Sequence, residues 1–320
     1  MKKRISIIFQ VSLSVGLIFA VLYFNKIEMS EIGEVLGKLK SYHILIYIIP
    51  ILIVDRILMS YKWNLLLRAT GVEITLWDNI KLYMASGFIG LALPSTIGAD
   101  FIRTYKLSRN NFEIKDILAS VVVERAFGFF SVELFAFITG CILLWYNPEV
   151  TDIVLTVFSI MAVMFLVFFA MSSKKFSRIL RRFIPLVIGE NVMEKITRFF
   201  SAFSVYREKP RVIIDFISLT LAETFVPIVL SIIFSYYLQL NIDWFVLFLV
   251  VPIILIVIRI PVTLNGVGLI EGIYVVLLGR FGVSAVDAFT LGIMMDVTGI
   301  FLSLSGGIFL WSFFMKKSAV

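Results

Sequence analysis

The stretch I-R-I-P-V-T-L-N-G-V-G-L-I-E-G-I-Y, residues 258–274, interrupts a long apolar run with groups that a membrane helix rarely carries. It contains a proline, three glycines, Arg259 and Glu271. In a bilayer every backbone N–H and C=O must be paired, so a helix cannot break freely where lipid surrounds it. A charged break between apolar runs therefore predicts chain that is buried in protein or lines a wet cavity, and we interpret it as a candidate site.

A second break of the same kind lies at L-A-L-P-S-T-I-G-A-D-F-I-R, residues 91–103. The two share short motifs, P-S-T-I-G at 94–98 and P-V-T-L-N-G at 261–266. Two Gly/Pro-interrupted apolar segments in corresponding places favour a transporter with its site between them. The alternative is two tight turns between ordinary helices, in which Asp100 and Glu271 only cap a helix.

The composition limits the class of protein. Of the 320 residues, 60% are hydrophobic and 16% are charged. A soluble domain cannot hide that much apolar surface, so we predict one integral membrane domain over residues 1–320. Cys141 is the single cysteine and His43 the single histidine, which leaves no disulfide framework and no thiolate metal site. The sequence lacks H-x-x-E-H, G-x-S-x-G and Walker motifs, so we expect no cofactor, no nucleic-acid partner and no enzyme active site.

The lengths of the apolar runs predict an all-α polytopic membrane protein with about six full transmembrane helices. They cover residues 5–24, 42–58, 117–146, 153–171, 212–238 and 288–314. The first run follows three basic residues, as in a signal peptide, but it is long enough to span and has no obvious cleavage site, so we interpret it as a retained helix. Shorter apolar segments flank each break, within residues 79–108 and 244–281, and predict two re-entrant hairpins.

Residues at the predicted membrane boundaries carry their own expectations. Asp55 and Arg56, near the inner end of the second span, are placed to pair with each other or to reach headgroups. Trp63 follows that span and is typical of an interfacial anchor. After the first break, Asp100 is expected to be the N-cap of a short helix. Residues 172–211 predict a basic amphipathic helix on an anionic inner leaflet or, alternatively, a solvated loop that only fixes topology.

The distribution of basic residues predicts the orientation. Most of the 29 lysines and arginines fall on segments that share the side of the N-terminus. The other side holds only Lys26, Lys38, Lys40 and Arg280. This bias predicts a protein of the cytoplasmic membrane with both termini in the cytoplasm. The break at Pro94 then enters from the cytoplasm and that at Pro261 from outside, which predicts inverted-repeat-like halves and a site near the bilayer midplane.

Charged groups near the breaks indicate what such a site binds. Helices that begin near Asp100 and Gly268 present N–H groups that favour anions, and Arg103 and Arg259 offer guanidinium groups that bind phosphate bidentately. The other ionisable groups at membrane depth include Glu124 beside Arg125, and Glu133, Glu223, Glu271 and Asp296. Both signs of charge suit a zwitterionic or aminoacylated phospholipid headgroup, or an anion moved with a proton. The alternative is internal pairing at rest, Arg103 with Asp100 and Arg259 with Glu271.

The first break and the span after it carry a resemblance to a known family. The motif at residues 94–103 is followed by the pair Glu124–Arg125. Both are similar to the membrane domain of the lysylphosphatidylglycerol synthase/flippase family, also called the flippase-like or uncharacterised protein family 0104 group. The family pattern here is roughly P-S-x-x-G-D-x-x-R, and Ala99 is inserted before the aspartate. The matching residues are Pro94, Ser95, Gly98, Asp100 and Arg103.

The second break resembles the same family, which favours P-x-S-P-G-G-x-G-x-x-E. The matching residues are Pro261, Thr263, Gly266, Gly268 and Glu271. Leu264 and Asn265 replace a proline and a glycine, and relatives often carry an arginine near the position of Asp296, which leaves substrate identity open. The resemblance covers essentially the whole chain and implies a flippase that moves a phospholipid, aminoacylated or not, between leaflets. The aminoacyl-transferring soluble domain of the full-length synthases has no counterpart here, so synthesis of the lipid is not expected.

The sequence therefore predicts a lipid transporter whose partners are membrane phospholipids. Two other classes stay open: a membrane-embedded lipid-modifying or glycosyl-transferring enzyme, and a membrane subunit that assembles with a separate lipid synthase. A homodimer is also open. The candidate substrate-binding residues are Pro94, Ser95, Gly98, Asp100, Arg103, Glu124, Arg125, Arg259, Pro261, Thr263, Asn265, Gly266, Gly268, Glu271 and Asp296.

Overall fold

The computed structural model describes residues 2–39, 43–91, 93, 97–110, 112–145, 147–172, 205–259 and 263–311. Within these ranges the regular structure is helical and there is no strand. The principal helices are α1 (Lys2–Phe24), α2 (Met29–Gly37), α3 (Ile44–Ala69), α4 (Leu76–Gly90), α5 (Ile97–Ser108), α6 (Ile114–Leu144), α7 (Thr151–Ser172), α8 (Pro210–Tyr237), α9 (Trp244–Val257), α10 (Leu269–Gly279) and α11 (Ala285–Ser305). A 3₁₀ turn precedes α7 (Pro148–Val150) and another follows α11 (Gly306–Phe309).

Four helical segments among the described residues are long and apolar enough to cross a membrane: α3, α6, α8 and Ala285–Phe309. A fifth is counted if α1 and α2, which meet at an angle of 91°, form one broken span. The prediction of a helical protein with several membrane-crossing segments is therefore confirmed. The count of six spans and the re-entrant hairpins stay predictions.

The short helix α2 has one buried apolar face and one exposed acidic face. Ile32 and Val35 are buried where α2 packs against α11, whereas Glu31 and Glu34 are exposed. The Glu31 carboxylate accepts a hydrogen bond of 2.9 Å from the Glu28 backbone N–H, which closes the first turn of the helix. The apolar face thus fixes α2 beside α11 while the acidic face points away from it.

The chain folds into two compact units. The first consists of Met1–Tyr61, Thr75–Lys106 and Ala222–Val320, and the second of Lys62–Ile74 and Leu107–Leu221. This division concerns packing within the chain, so the single membrane domain over residues 1–320 remains a prediction. Most of the predicted basic segment, residues 173–204, lies outside the described residues.

The second unit corrects the prediction for Trp63. Helix α3 continues past the expected span end at residue 58 as far as Ala69, and Trp63 is completely buried. Its indole N–H donates to the Ser120 hydroxyl at 3.1 Å, which satisfies the one polar group of the ring. Trp63 is therefore a core residue and the interfacial assignment was wrong, because a tryptophan at the end of an apolar run looks alike in both settings.

The end of α3 is held by side chains from a distant part of the second unit. The Tyr206 hydroxyl donates to the Leu66 carbonyl at 2.9 Å, and the Lys209 ammonium donates to the Ala69 carbonyl at 2.6 Å. The last carbonyls of a helix have no partner within it, so these two bonds supply what α3 itself lacks. Tyr206 also packs with Phe216 in the core of this unit.

Candidate functional site

The second break reverses the chain within a few residues. Asn265, Gly266 and Gly268 have φ angles of 54°, 92° and 82°, a left-handed conformation that glycine adopts at little cost and asparagine tolerates. Helix α10 begins directly after Gly268, and the N–H of Gly268 donates to the Glu271 carboxylate at 2.7 Å. Glu271 therefore caps α10, as the turn-and-cap interpretation predicted for this residue.

Capping is only part of the environment of Glu271. The side chain is 3% exposed, and its carboxyl group lies within hydrogen-bonding range of the carboxyl group of Asp296 on α11. The two helices approach closely at Gly292, where an added Cβ would lie 2.9 Å from the Glu271 Cα. Gly292 precedes Asp296 by four residues and shares its face of α11, so the missing side chain at 292 lets the two carboxyl groups meet.

A tyrosine extends this polar cluster to α8. Tyr274 is 1% exposed, and its hydroxyl lies 3.1 Å from the Ser231 hydroxyl. Ser231 donates its own hydrogen to the Pro227 carbonyl at 2.8 Å, so Tyr274 is the donor in the contact between the two side chains. The Ser231 hydroxyl thus bonds to the carbonyl four residues earlier in its own helix, a back-bond that serine commonly forms.

Helix α1 packs against the second break. The Leu264 N–H donates to the Ser14 hydroxyl at 3.0 Å, and an added Cβ at Gly268 would lie 2.6 Å from the Ser14 carbonyl oxygen. Gly268 and Gly272 are four residues apart, a small-xxx-small spacing that lets a second helix approach closely. The break is therefore packed directly on the backbone of α1.

The first break joins α4 to α5, and its geometry corrects one prediction. Helix α5 begins at Ile97, so Asp100 lies inside the first turn and is not the N-cap residue. Its carboxylate instead accepts a hydrogen bond of 2.7 Å from the Arg103 guanidinium, one turn further on. An added Cβ at Gly90 would lie 3.0 Å from the Ala99 Cβ, which shows how closely α4 and α5 approach.

Arg103 is the most deeply buried arginine of this break. It is 2% exposed, pairs with Asp100, and lies over the Tyr83 ring with its guanidinium carbon 4.7 Å from the ring centre. Internal pairing of Arg103 with Asp100, one of the two interpretations offered by the sequence, is thus what the structure shows. Pairing and stacking together offset the cost of burying the charge.

A second arginine belongs to the same cluster. Arg56 on α3 forms a salt bridge with Asp55, as the sequence predicted for these neighbours, and Tyr83 and Glu223 lie within electrostatic range of its guanidinium. We refer to Asp55, Arg56, Tyr83, Asp100, Arg103 and Glu223 as the arginine cluster. Sequence reasoning missed Tyr83, because one aromatic residue in an apolar helix carries no signal of the cation that will stack on it.

Five further predicted residues belong to the two breaks or lie beside them. Pro94, Ser95 and Pro261 lie outside the described residues. Arg259 is half-buried just after α9, and its pairing with Glu271 stays a prediction. Thr263 is 4% exposed, and its hydroxyl has no hydrogen-bond partner within the described part of the chain.

Glu124 and Arg125 belong to the second unit, on α6. Glu124 is buried and lies within electrostatic range of Tyr206. Burial, with smaller effects from Glu124 and Asp116, raises the pKa of Tyr206 above its usual value. The phenol therefore stays protonated and keeps its hydrogen bond to α3.

The fold and these buried charges define a class: a multi-pass helical membrane protein with ionisable groups packed between its helices. The family model of the lysylphosphatidylglycerol synthase TM region matches residues 7–306, so the chain belongs to that family, as its motifs predicted. Membership indicates a function related to membrane lipids. No curated protein and no solved structure matches the chain.

Proposed function

We propose that the protein moves a phospholipid between the two leaflets of the cytoplasmic membrane. The observation that carries the proposal is the arginine cluster, in which Arg56 and Arg103 approach one tyrosine, Tyr83, from two different helices. Ionisable groups at membrane depth are costly to keep and are a functional site by default. Membership of a lipid-related membrane family supports the same conclusion.

The chemistry of the cluster suits a phosphate headgroup. A guanidinium binds two phosphate oxygens through parallel N–H bonds, so Arg103 can exchange its Asp100 partner for the lipid phosphate. The displaced carboxylate, with Asp55 and Glu223, can then accept the ammonium of an amino headgroup. Pairing at rest keeps the charges neutralised until the substrate arrives, while the acyl chains stay in the lipid.

The topology completes the proposal. Six spans, two re-entrant hairpins of opposite orientation and a site near the midplane give the headgroup access from either leaflet. The charge bias along the sequence supports cytoplasmic termini. The basic segment at residues 172–211 then faces the anionic inner leaflet.

The test is lipid exchange in vesicles reconstituted with the purified protein. We expect Arg103→Ala to slow exchange of a fluorescent phospholipid by about tenfold, because a hydrogen bond to a charged group contributes about 1.5–3 kcal/mol. Arg68→Ala is the matched control, since Arg68 is exposed near the end of α3. Glu271→Ala tests the second break in the same assay. Exchange at the native rate in both Arg103→Ala and Glu271→Ala would remove the proposed site.

The same preparation separates the proposal from its rivals. Incubation with lipid and activated donors should give no new lipid product. A new product would favour a lipid-modifying or glycosyl-transferring enzyme. Exchange that appears only after a separate synthase is added would favour a membrane subunit of such an enzyme.

A further inference from the structure

We propose that Glu271 and Asp296 form a binding site for one exchangeable proton, held between α10 and α11. The site stands on its own geometry. Its role, coupling proton movement to lipid movement, rests on the proposed function. Such a proton would supply the driving force for a chain in which the sequence shows no nucleotide-binding loop.

The contact between the two side chains requires a hydrogen. Ionised carboxylates carry acceptors only, so two of them within hydrogen-bonding range repel unless a proton lies between them. Glu271 is 3% exposed, which leaves water little room to mediate the contact. The close approach at Gly292 fixes the helices at this separation, because no side chain there holds them apart.

The surroundings assign the proton to Asp296. One Glu271 oxygen accepts the Gly268 N–H at 2.7 Å, and Glu271 lies in the first turn of α10, where the helix dipole favours a negative charge. Asp296 has no such help. Its Oδ2 atom is sealed from solvent and has no hydrogen-bond partner within the described residues. In the proposed site the shared proton is therefore carried by Asp296 and accepted by Glu271.

Other ionisable groups lie on or directly beside the described elements that pack around α10 and α11. Helix α9 contains none, and Tyr274 on α10 is within electrostatic range of Asp296. The others are Lys2, Lys3, Arg4 and Tyr23 on α1, Glu28, Glu31, Glu34 and Lys38 on or beside α2, Asp78, Lys81 and Tyr83 on α4, Asp243 and Arg259 beside α9, Arg280 after α10, and Asp287 near the start of α11. Tyr23, Glu28, Glu31, Glu34, Lys38, Asp243 and Arg280 are exposed, and the charged side chain that contacts Asp296 is Glu271.

Loss of the proton changes the packing at the second break. It leaves two negative charges at the α10–α11 contact, one of them on the residue that caps α10 through the N–H of Gly268. Repulsion then favours separation of the helices where Gly292 keeps them closest. Gly268 and Leu264 also contact Ser14 on α1, so separation of α10 from α11 would strain the chain between residues 263 and 268.

Infrared difference spectroscopy of the purified protein between low and high pH tests the proton site directly. We expect a carboxylic C=O band that disappears as the pH rises in the native protein. The band should be absent from Asp296→Asn, should titrate over a different pH range in Glu271→Gln, which lacks the partner carboxylate, and should be unchanged in Asp287→Asn, whose position is near the start of the same helix. If one of the two isosteric variants at Asp296 and Glu271 fails to fold, the other still tests the site.

Either of two results would overturn the site. One is a native set of titrating bands in both Asp296→Asn and Glu271→Gln. The other is loss of the band on adding Na⁺ at constant pH, which would make the ligand a metal cation.

A separate measurement tests coupling. In vesicles with a pH gradient, lipid exchange should respond to the gradient in the native protein and lose that response in Asp296→Asn. No response in the native protein, with the infrared band present, would leave the proton site standing and overturn coupling. No lipid exchange under any gradient, with the band present, would instead contradict the proposed function.

Discussion

The Arg103 guanidinium lies 4.7 Å from the centre of the Tyr83 ring while it donates a 2.7 Å hydrogen bond to Asp100. Both partners stabilise the buried guanidinium charge, Asp100 as a hydrogen-bonding anion and Tyr83 as an aromatic ring stacked on the cation. In the proposed transport a phosphate replaces the carboxylate while the ring stays in contact with the cation. We therefore expect Tyr83 to position Arg103 whichever anion is bound.

Replacing the Tyr83 ring should show what its contact with Arg103 contributes. Tyr83→Leu removes a cation–π contact that contributes about 0.5–2 kcal/mol, so we expect a lower apparent Tm in detergent and slower lipid exchange. Tyr83→Phe keeps the ring and loses only the hydroxyl, so it should stay closer to the native protein in both measurements. Trp77→Leu is the control, because Lys81 lies over Trp77 at 5.3 Å at a half-exposed site. Equal losses in Tyr83→Leu and Trp77→Leu would contradict a special role for Tyr83.

Gly292→Ala should weaken the packing of α10 on α11. The new methyl group would lie 2.9 Å from the Glu271 Cα, a backbone atom that cannot rotate away. Overpacking of this kind costs about 1–3 kcal/mol, so the apparent Tm should fall. Gly299→Ala on the same helix is the control, because nothing lies within 4 Å of its added Cβ and alanine favours a helix. The model of the contact fails if the two variants unfold at the same temperature.

Gly268→Ala combines two effects that a second glycine can separate. Gly268 has a φ of 82° and would place its Cβ 2.6 Å from the Ser14 carbonyl oxygen. Gly282 has a φ of 77° with open space around it, so Gly282→Ala measures left-handed strain alone, about 1–2 kcal/mol. We expect Gly268→Ala to lower the apparent Tm by more than Gly282→Ala. A smaller or equal effect would mean that α1 does not pack on the break as described.

Trp63→Phe should destabilise the second unit. The substitution removes the indole N–H that donates to Ser120 and leaves a gap at a fully buried position, a loss of about 1–3 kcal/mol. Trp244→Phe is the comparison, since Trp244 is 53% exposed and such surface changes usually stay within about 0.5 kcal/mol. Thermal unfolding in detergent measures both. If Trp63 were an interfacial anchor, Trp244→Phe would lower the apparent Tm by more than Trp63→Phe.

Local pattern was sufficient for most helix boundaries and for two polar contacts. The long span predicted at residues 117–146 is α6, Ile114–Leu144. A long apolar run enters the bilayer, and there it must form a helix because a helix pairs its own backbone N–H and C=O groups. Asp100 meets Arg103 and Glu271 caps α10 because their partners lie three residues away, within reach of one helical turn.

The same local reasoning misplaced Trp63 and the start of α5. Burial of Trp63 depends on Ser120, which is 57 residues away and invisible to any spacing rule. Helix α5 begins at Ile97, before Asp100, so the aspartate lies inside the first turn and its carboxylate is available to Arg103.

By itself, therefore, the sequence determined that this is a helical membrane protein of the lysylphosphatidylglycerol synthase TM region family, with charged breaks at two places. Both properties follow from neighbouring residues. Only the tertiary structure decided which charges share a partner: Arg103 and Arg56 around Tyr83, and Glu271 with Asp296. Those contacts depend on where helices cross, and glycines such as Gly292 set that distance by having no side chain at all.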